Sequence, residues 1–115
     1  MTLDQLLHQL HVEPESVSFA DVINVIDDNY EFSETSFQNG ELLNAAGDNN
    51  GSCKIFYFGQ LQHLSPAQTL ACFGDYYRID VLQNPDAADH QNIRNFIRSE
   101  WKGIHFEGRA LEMKS

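Results

Sequence analysis

The chain has 115 residues, 42% of them hydrophobic, and its 17 acidic and 7 basic residues give a formal charge of −10. This length suits one domain with a real core, and the composition excludes an intrinsically disordered chain. Because affinity for nucleic acids and anionic membranes comes from Lys and Arg, the charge argues against both partners. We therefore expect one acidic domain over residues 1–115 that binds neither nucleic acid nor a membrane.

The two cysteines, Cys53 and Cys72, are too few for a disulfide framework and indicate reduced thiols in a cytosol. No apolar run in the sequence reaches membrane-spanning length. The first residues lack the basic and apolar regions of a signal peptide, so we expect none. These features predict a cytoplasmic protein.

Two helices are predicted near the N-terminus. Thr2 and Gln5 have the spacing of a capping box, ahead of leucines that recur every three or four residues. Ser18 is expected to cap the second helix. The apolar positions of that helix are Phe19, Val22, Ile23, Ile26 and Tyr30.

After residue 30 the apolar period changes from helical to alternating. Residues 30–32 and 35–37 alternate apolar and polar side chains, and Asn39-Gly40 follows as a turn. Residues 104–107 alternate in the same way before Gly108. The pattern predicts a small antiparallel sheet that joins the middle of the chain to its C-terminus.

The segment from Ser52 to His63 is compatible with two structures. Residues 54–58 (Lys-Ile-Phe-Tyr-Phe) are typical of a buried strand, because β-branched and aromatic residues favour strands. An N-cap at Ser52 and the apolar residues continuing to Leu64 favour a buried helix. We predict the helix.

A clearer helix signal follows at residues 65–68 (Ser-Pro-Ala-Gln), a capping box with proline at the first helical position. Its apolar positions predict a helix that continues through Val81 until Asn84-Pro85 stops it. Asp86 or Asp89 is expected to cap a last helix. The stripe of that helix is Ile93, Phe96, Ile97 and Trp101.

Together these elements predict an α+β fold. It is a mainly helical single domain of four to five helices with a small antiparallel β-sheet.

Cys53 is the first candidate for chemistry. At the start of a helix and beside Lys54, its thiolate would be favoured by the helix dipole and by a neighbouring cation. His90 or His105 would serve as the base, and N–H groups near Gly51 would receive an oxyanion. The alternative is a small buried residue that only packs.

The same helix start is a candidate anion site. Residues 47–54 are close to a P-loop but have three residues between the glycines and Ser-Cys before the lysine, so nucleotide hydrolysis is not supported. N–H groups at Asn50, Gly51 and Ser52, together with Lys54, would still bind an anion or a small ligand. A well-formed turn is the alternative.

Residues 86–98 contain further polar candidates. Asp86, Asp89 and His90 are suited to acid–base chemistry or to binding a metal, although helix capping accounts for the aspartates, and we expect capping. Arg94 and Arg98 lie one helical turn apart. They would form an anion-binding face or pair with local acidic residues.

His8 and His11 lie three apart on the first predicted helix, a spacing that suits two metal ligands. The sequence suggests no third ligand nearby. We therefore expect neither a metal nor a cofactor.

Several motifs stand in a characteristic order. They are residues 18–23 (SFADVI), 37–40 (FQNG), 46–47 (AG), 50–54 (NGSCK), 72–77 (CFGDYY), 84–86 (NPD), 89–94 (DHQNIR) and 101–104 (WKGI). With them the sequence resembles the HopJ type III effector family across roughly residues 17–108. The resemblance implies a bacterial protein linked to type III secretion and brings no established catalytic residues. The motifs at residues 52–54 and 89–90 are among the most recognisable of the family.

Two functions follow as hypotheses. The first is a non-enzymatic, effector-like protein that acts through a protein partner, with Tyr76, Tyr77 and Trp101 as candidate anchors in an exposed patch. The second is a small enzyme or ligand-binding protein that uses a pocket at residues 51–54, with Cys53 as a thiolate.

Overall fold

A computed structural model describes residues 1–114 of the chain. The helices are α1 (Leu3–Val12), α2 (Phe19–Asn29), α3 (Asn50–Leu61), α4 (Pro66–Ala71) and α5 (Gln91–Ser99), with 3₁₀ turns at Pro14–Ser16 and Glu100–Gly103 and a π-helix at Tyr76–Val81. The strands are β1 (Tyr30–Phe32), β2 (Phe37–Asn39), β3 (Leu42–Asn44), β4 (Ile104–Phe106) and β5 (Leu111–Met113). The predicted α+β, mainly helical fold is confirmed.

Two small antiparallel ladders join the middle of the chain to its C-terminal segment. Strand β2 lies between β3 and β4, so that Phe37 is opposite both Asn44 and Phe106. Strand β1 pairs with β5, with Tyr30 opposite Met113. The predicted link between the middle and the C-terminus is confirmed, although the strand expected at residues 35–37 occupies Phe37–Asn39.

The N-terminal caps form as predicted. The Thr2 hydroxyl accepts a hydrogen bond from the Gln5 backbone N–H at 3.1 Å, and the Gln5 side chain accepts one from the Thr2 N–H at 2.8 Å. The Ser18 hydroxyl accepts from the Asp21 N–H in the same way. Helices α1 and α2 then turn their apolar stripes to the core.

The ambiguous run at residues 54–58 is helical, because α3 passes through the centre of the molecule. Ile55, Phe56 and Phe58 are fully buried in it. The Phe56 ring packs on Phe73 and Phe96, with centroids 5.4 and 4.9 Å away. A central helix is surrounded by other elements and is therefore apolar on most of its faces, which produced the strand-like composition.

The helix that Ser65 caps, α4, ends at Ala71, and its predicted continuation to Val81 is wrong. Gly74 has φ +60°, and a Cβ there would lie 2.8 Å from the Phe19 backbone nitrogen. The chain therefore turns at a left-handed glycine where the end of α4 meets the start of α2. Helical structure resumes as the π-helix.

The predicted caps of α3 and α5 are also wrong. Asn49 and His90 precede these helices, with left-handed φ values of 57° and 51°. Ser52 lies within the first turn of α3 rather than at its cap. Asp89 pairs with Arg94 at 2.6 Å, and Asp86 is exposed in the loop before α5.

No helix within residues 1–114 combines the length and the apolar character needed to cross a bilayer.

Candidate functional site

A cleft of about 400 Å³ lies where the N-termini of α3 and α5 meet. Gly51 and Ser52 reach it from α3, and His90 reaches it from the start of α5. The rings of Phe19 and Tyr76 form an aromatic wall. Three of the residues singled out from the sequence, Gly51, Ser52 and His90, are therefore brought together in one cavity.

Helices α3 and α5 begin beside the cleft in the same unusual way. Each starts after a left-handed, non-glycine residue, and in the described part of the chain neither Asn49 nor His90 caps its helix through a side-chain hydrogen bond. First-turn residues of both helices line the cavity. The positive ends of two helix dipoles thus meet at the cleft.

Four asparagines hold the two helix starts together. The Asn92 carbonyl oxygen Oδ1 accepts from the side-chain amides of Asn39 and Asn44, at 3.0 and 3.1 Å. The Asn44 Oδ1 accepts in turn from Asn92, at 2.9 Å, and from Asn49, at 2.8 Å. Asn39, Asn44 and Asn92 are buried. Sequence reasoning assigned Asn39 and Asn49 to turns and missed this network, because its members are up to 53 positions apart.

Gly51 allows the aromatic wall to come close. A Cβ at this position would lie 3.1 Å from Cζ of Phe19. The Phe19 ring meets Tyr76 edge-on, with centroids 5.1 Å apart. The glycine therefore sets the width of the cleft as well as the path of the backbone.

His90 faces two carboxylates at the edge of the cleft. Its Nε2 lies 3.0 Å from Oδ2 of Asp80 and 3.8 Å from Oδ2 of Asp89. The imidazole also packs against an aromatic ring, since the Tyr76 ring centroid is 5.2 Å from that of His90. Asp80 comes from the π-helix, a partner that the local sequence around His90 does not reveal.

Arg94 supports the loop before α5 rather than an open ligand-binding face. Its guanidinium is buried and donates to the carbonyl oxygens of Asn84, at 2.9 Å, and Asp89, at 2.6 Å. It also donates to Asp89 Oδ1 at 2.6 Å, and this hydrogen bond lowers the pKa of the Asp89 carboxyl. The interpretation of Arg94 as the partner of a local acidic residue is the one that this geometry supports.

Cys53 lies in the core, with only 1% of its surface exposed. Burial raises its pKa to about 11, against smaller opposing effects of a hydrogen bond with the Thr35 backbone and of the Lys54 charge. The thiol is therefore protonated at neutral pH, which counts against a thiolate nucleophile and favours packing.

Asn50 and Lys54 are engaged by acidic residues from other elements. The Lys54 ammonium lies 2.9 Å from Oδ1 of Asp27 and 5.0 Å from the centroid of the Phe32 ring. The Asn50 amide donates to the Glu34 carboxylate at 3.3 Å. Both residues were predicted to bind an anion; in the structure their side chains pair with Asp27 and Glu34 at solvent-exposed contacts.

A second surface feature is a groove between the end of the π-helix and α5. Its volume is about 260 Å³, and its apolar lining consists of Val81, Leu82, Pro85 and Ile97. Leu82 is 53% exposed and Ile97 is 41% exposed. Arg98 stands at the rim, where its guanidinium donates to the Asn95 side chain at 2.5 Å. We call this the apolar groove.

The aromatic anchors expected from the sequence are distributed differently. Tyr76 is exposed but belongs to the cleft, and Tyr77 is half-buried. Trp101 is half-buried, and its indole N–H donates to the Leu64 carbonyl at 2.9 Å. The exposed patch is instead aliphatic, and sequence reasoning missed Leu82 because it lies off the apolar stripe of the predicted helix.

Comparisons with known proteins agree with this architecture. A solved structure described as unknown function protein VPA0580 superimposes with a TM-score of 0.98 at 52% sequence identity, covering 99% of this chain and 95% of that one. No curated protein matches the sequence. The profile of the HopJ type III effector protein family matches residues 3–111. The chain therefore belongs to the HopJ type III effector family.

Proposed function

We propose that this protein is an effector that acts by binding another protein, and that the apolar groove is its docking surface. The observation that carries the proposal is the exposure of Leu82 and Ile97 on neighbouring elements, beside an exposed arginine. Apolar side chains that stay exposed around a groove are typical of protein-binding sites. Membership of the effector family supports a role as an effector, and the apolar groove is the surface proposed for binding the partner.

The chemistry of the groove selects the occupant. Its aliphatic floor suits one or two apolar side chains of an amphipathic segment, the mode by which helices dock into grooves. Arg98 at the rim suits a carboxylate on the same segment. The charge of −10 disfavours a strongly acidic partner, so the proposed segment is apolar with one placed acidic residue.

Amide NMR with a defined peptide tests this proposal. The probe is a synthetic amphipathic helix with a leucine face and one glutamate, compared with the same peptide carrying lysine instead. We expect shifts at Leu82, Ile97 and Arg98 with the glutamate peptide, and roughly tenfold weaker binding of the lysine peptide.

Charge exchange sharpens the experiment. Arg98→Glu should reverse the preference between the two peptides, and Leu82→Asp should abolish binding of both. Leu43→Asp is the matched control, because Leu43 is 76% exposed and lies outside the groove. Two results would refute the groove as the docking site. One is an unchanged preference between the two peptides in Arg98→Glu, and the other is a loss of peptide binding in the control Leu43→Asp.

We also propose that residues 1–115 form one domain, made in the bacterial cytoplasm and exported by a type III system. Membership of the effector family supports this route. A translocation reporter fused to the chain should enter host cells from a bacterium with an intact type III apparatus. Entry that persists in a secretion-deficient strain, or no entry from either strain, would contradict the route.

A second candidate function is the binding of a small anionic ligand in the cleft. The observation that favours it is the meeting of two helix starts with His90 beside an aromatic wall. Phenyl phosphate is a suitable probe, and it should shift the amides of Gly51, Ser52 and Gln91. Ser52→Glu should block this binding through charge repulsion, whereas Ser33→Glu, at an exposed position, should leave it unchanged. Equal effects of both variants would exclude the cleft.

A further inference from the structure

Three metal-ligating side chains converge at the edge of the cleft, from two segments of the chain. Asp80 belongs to the π-helix, whereas Asp89 and His90 precede α5. One imidazole nitrogen and two carboxylate oxygens lie within 4.8 Å of one another. The sequence separates Asp80 from His90 by ten positions, so that only the fold brings this set together.

The separations suit a single bound ion. Ligand atoms about 2.0–2.2 Å from one metal, at the angles of tetrahedral or octahedral sites, lie roughly 3.0–3.5 Å apart. The observed distances from His90 Nε2 are 3.0 Å to Asp80 and 3.8 Å to Asp89. Small side-chain rotations therefore complete the coordination, and the ion takes the place of the contact between His90 Nε2 and Asp80 Oδ2.

The surroundings hold the ligands in place. The Arg94 guanidinium donates a hydrogen bond to Oδ1 of Asp89, which leaves Oδ2 on the side of His90. Hydrogen bonds from such supporting groups orient metal ligands and raise affinity. Arg94 also offsets only one of the two carboxylate charges, so that the site keeps a net negative charge when His90 is neutral.

From this geometry we propose that Asp80, Asp89 and His90 bind a divalent transition-metal ion such as Zn²⁺, with water completing its coordination. One imidazole and two carboxylates form a mixed nitrogen and oxygen donor set, which suits such ions better than Ca²⁺ or Mg²⁺. The site is independent of the apolar groove and of any protein partner. It revises the expectation, drawn from the sequence, that no metal is bound.

Calorimetry on the chelator-treated full chain tests the proposal, with Zn²⁺ as the probe. We expect one equivalent of Zn²⁺ to bind, and Asp80→Asn and His90→Gln each to weaken binding roughly tenfold or more. Asp80→Asn preserves the shape of the side chain, and thermal unfolding will show whether each variant remains folded. Both cysteines are buried and should not compete for the ion.

His8 and His11 provide the matched control, since both are exposed and lie three apart on α1. The double variant His8→Gln/His11→Gln should bind Zn²⁺ like the unaltered chain. Mn²⁺ should broaden the NMR signals of Asp80 and His90 first. Three results would overturn the proposal: no binding tighter than millimolar, unchanged binding by folded Asp80→Asn, or loss of binding in the α1 double variant alone.

Discussion

The starts of α3 and α5 show how similar local structures acquire different chemistry. The segments 49–54 and 90–94 both begin with a left-handed residue, contribute to one cleft and share the asparagine network. At the α3 start the reactive and charged side chains are not free to contact a ligand, because Cys53 is buried and Lys54 forms an ion pair with Asp27. At the α5 start His90 keeps a half-exposed ring beside two carboxylates. Burial, and not the local motif, decides which start is available for chemistry.

The largest effect should appear in alkylation of Cys53, measured in a Cys72→Ser background. With a pKa of about 11 and a buried sulfur, the thiol should react at least a hundredfold more slowly in the folded chain than in the unfolded one at pH 7. Its rate should keep rising between pH 7 and pH 10. Fast, pH-independent labelling at pH 6 would mean an exposed thiolate, and the contrast between the two helix starts would fail.

The raised pKa of Cys53 also makes the free energy of unfolding depend on pH. The folded chain holds the Cys53 proton more tightly than the unfolded chain, because its pKa is raised from 9.0 to about 11. This contribution is complete below pH 9 and is lost as the pH rises towards 11. The urea midpoint of the Cys72→Ser chain should fall in that window, and Cys53→Ala in the same background should remove this part of the fall.

Asn92→Ala should separate the two helix starts. It leaves the buried Asn44 amide without its acceptor and should lower the free energy of unfolding by about 2–3 kcal/mol, measured by urea denaturation. Asn24→Ala, on the exposed face of α2, is the control and should change stability by about 0.5 kcal/mol or less. Equal changes in the free energy of unfolding for the two variants would show that the asparagine network does not stabilise the fold.

Arg94→Met should perturb the α5 start alone, at a cost of about 2 kcal/mol in the free energy of unfolding. The variant removes charged hydrogen bonds to the Asn84 and Asp89 carbonyls, while the methionine retains apolar volume. Amide shifts should concentrate in residues 82–90. Shifts of similar size at residues 49–54 would show that the two starts respond as one unit.

Lys54→Met should have the smallest effect, about 0.5 kcal/mol. Its ion pair reaches Asp27, which is 47% exposed, and such pairs are screened by solvent and salt. The difference between Lys54→Met and the unaltered chain should shrink further in 1 M NaCl. A loss as large as that of Arg94→Met would show that the α3 start depends on its cation after all.

The elements that were predicted well are those whose signals are local. Thr2, Ser18 and Ser65 each cap a helix through the N–H three positions later, an interaction encoded within one turn. The end of α4 was missed, because Gly74 is required by the approach of the Phe19 backbone. Asn49 and His90 take the left-handed conformation just before α3 and α5, and the local sequence did not distinguish them from Ser52 and Asp89 as helix starts.

The candidate site was predicted in part. Gly51, Ser52 and His90 were chosen from the sequence and do meet in one cleft. Cys53 and Lys54 were chosen by the same local logic, but their environments depend on contacts with Thr35 and Asp27. Asp80 and the apolar groove were missed, since both depend on how the π-helix packs beside α5.

The sequence by itself determined the fold class, the main caps and the family of this protein, because periodicity, capping and ordered motifs are properties of neighbouring residues. The tertiary structure alone decided that Cys53 is buried, that Asp80 meets His90 and that Leu82 remains exposed beside Arg98. Burial and proximity between distant segments arise only when the elements pack, and they decide which side chains of this protein are accessible and which are close together.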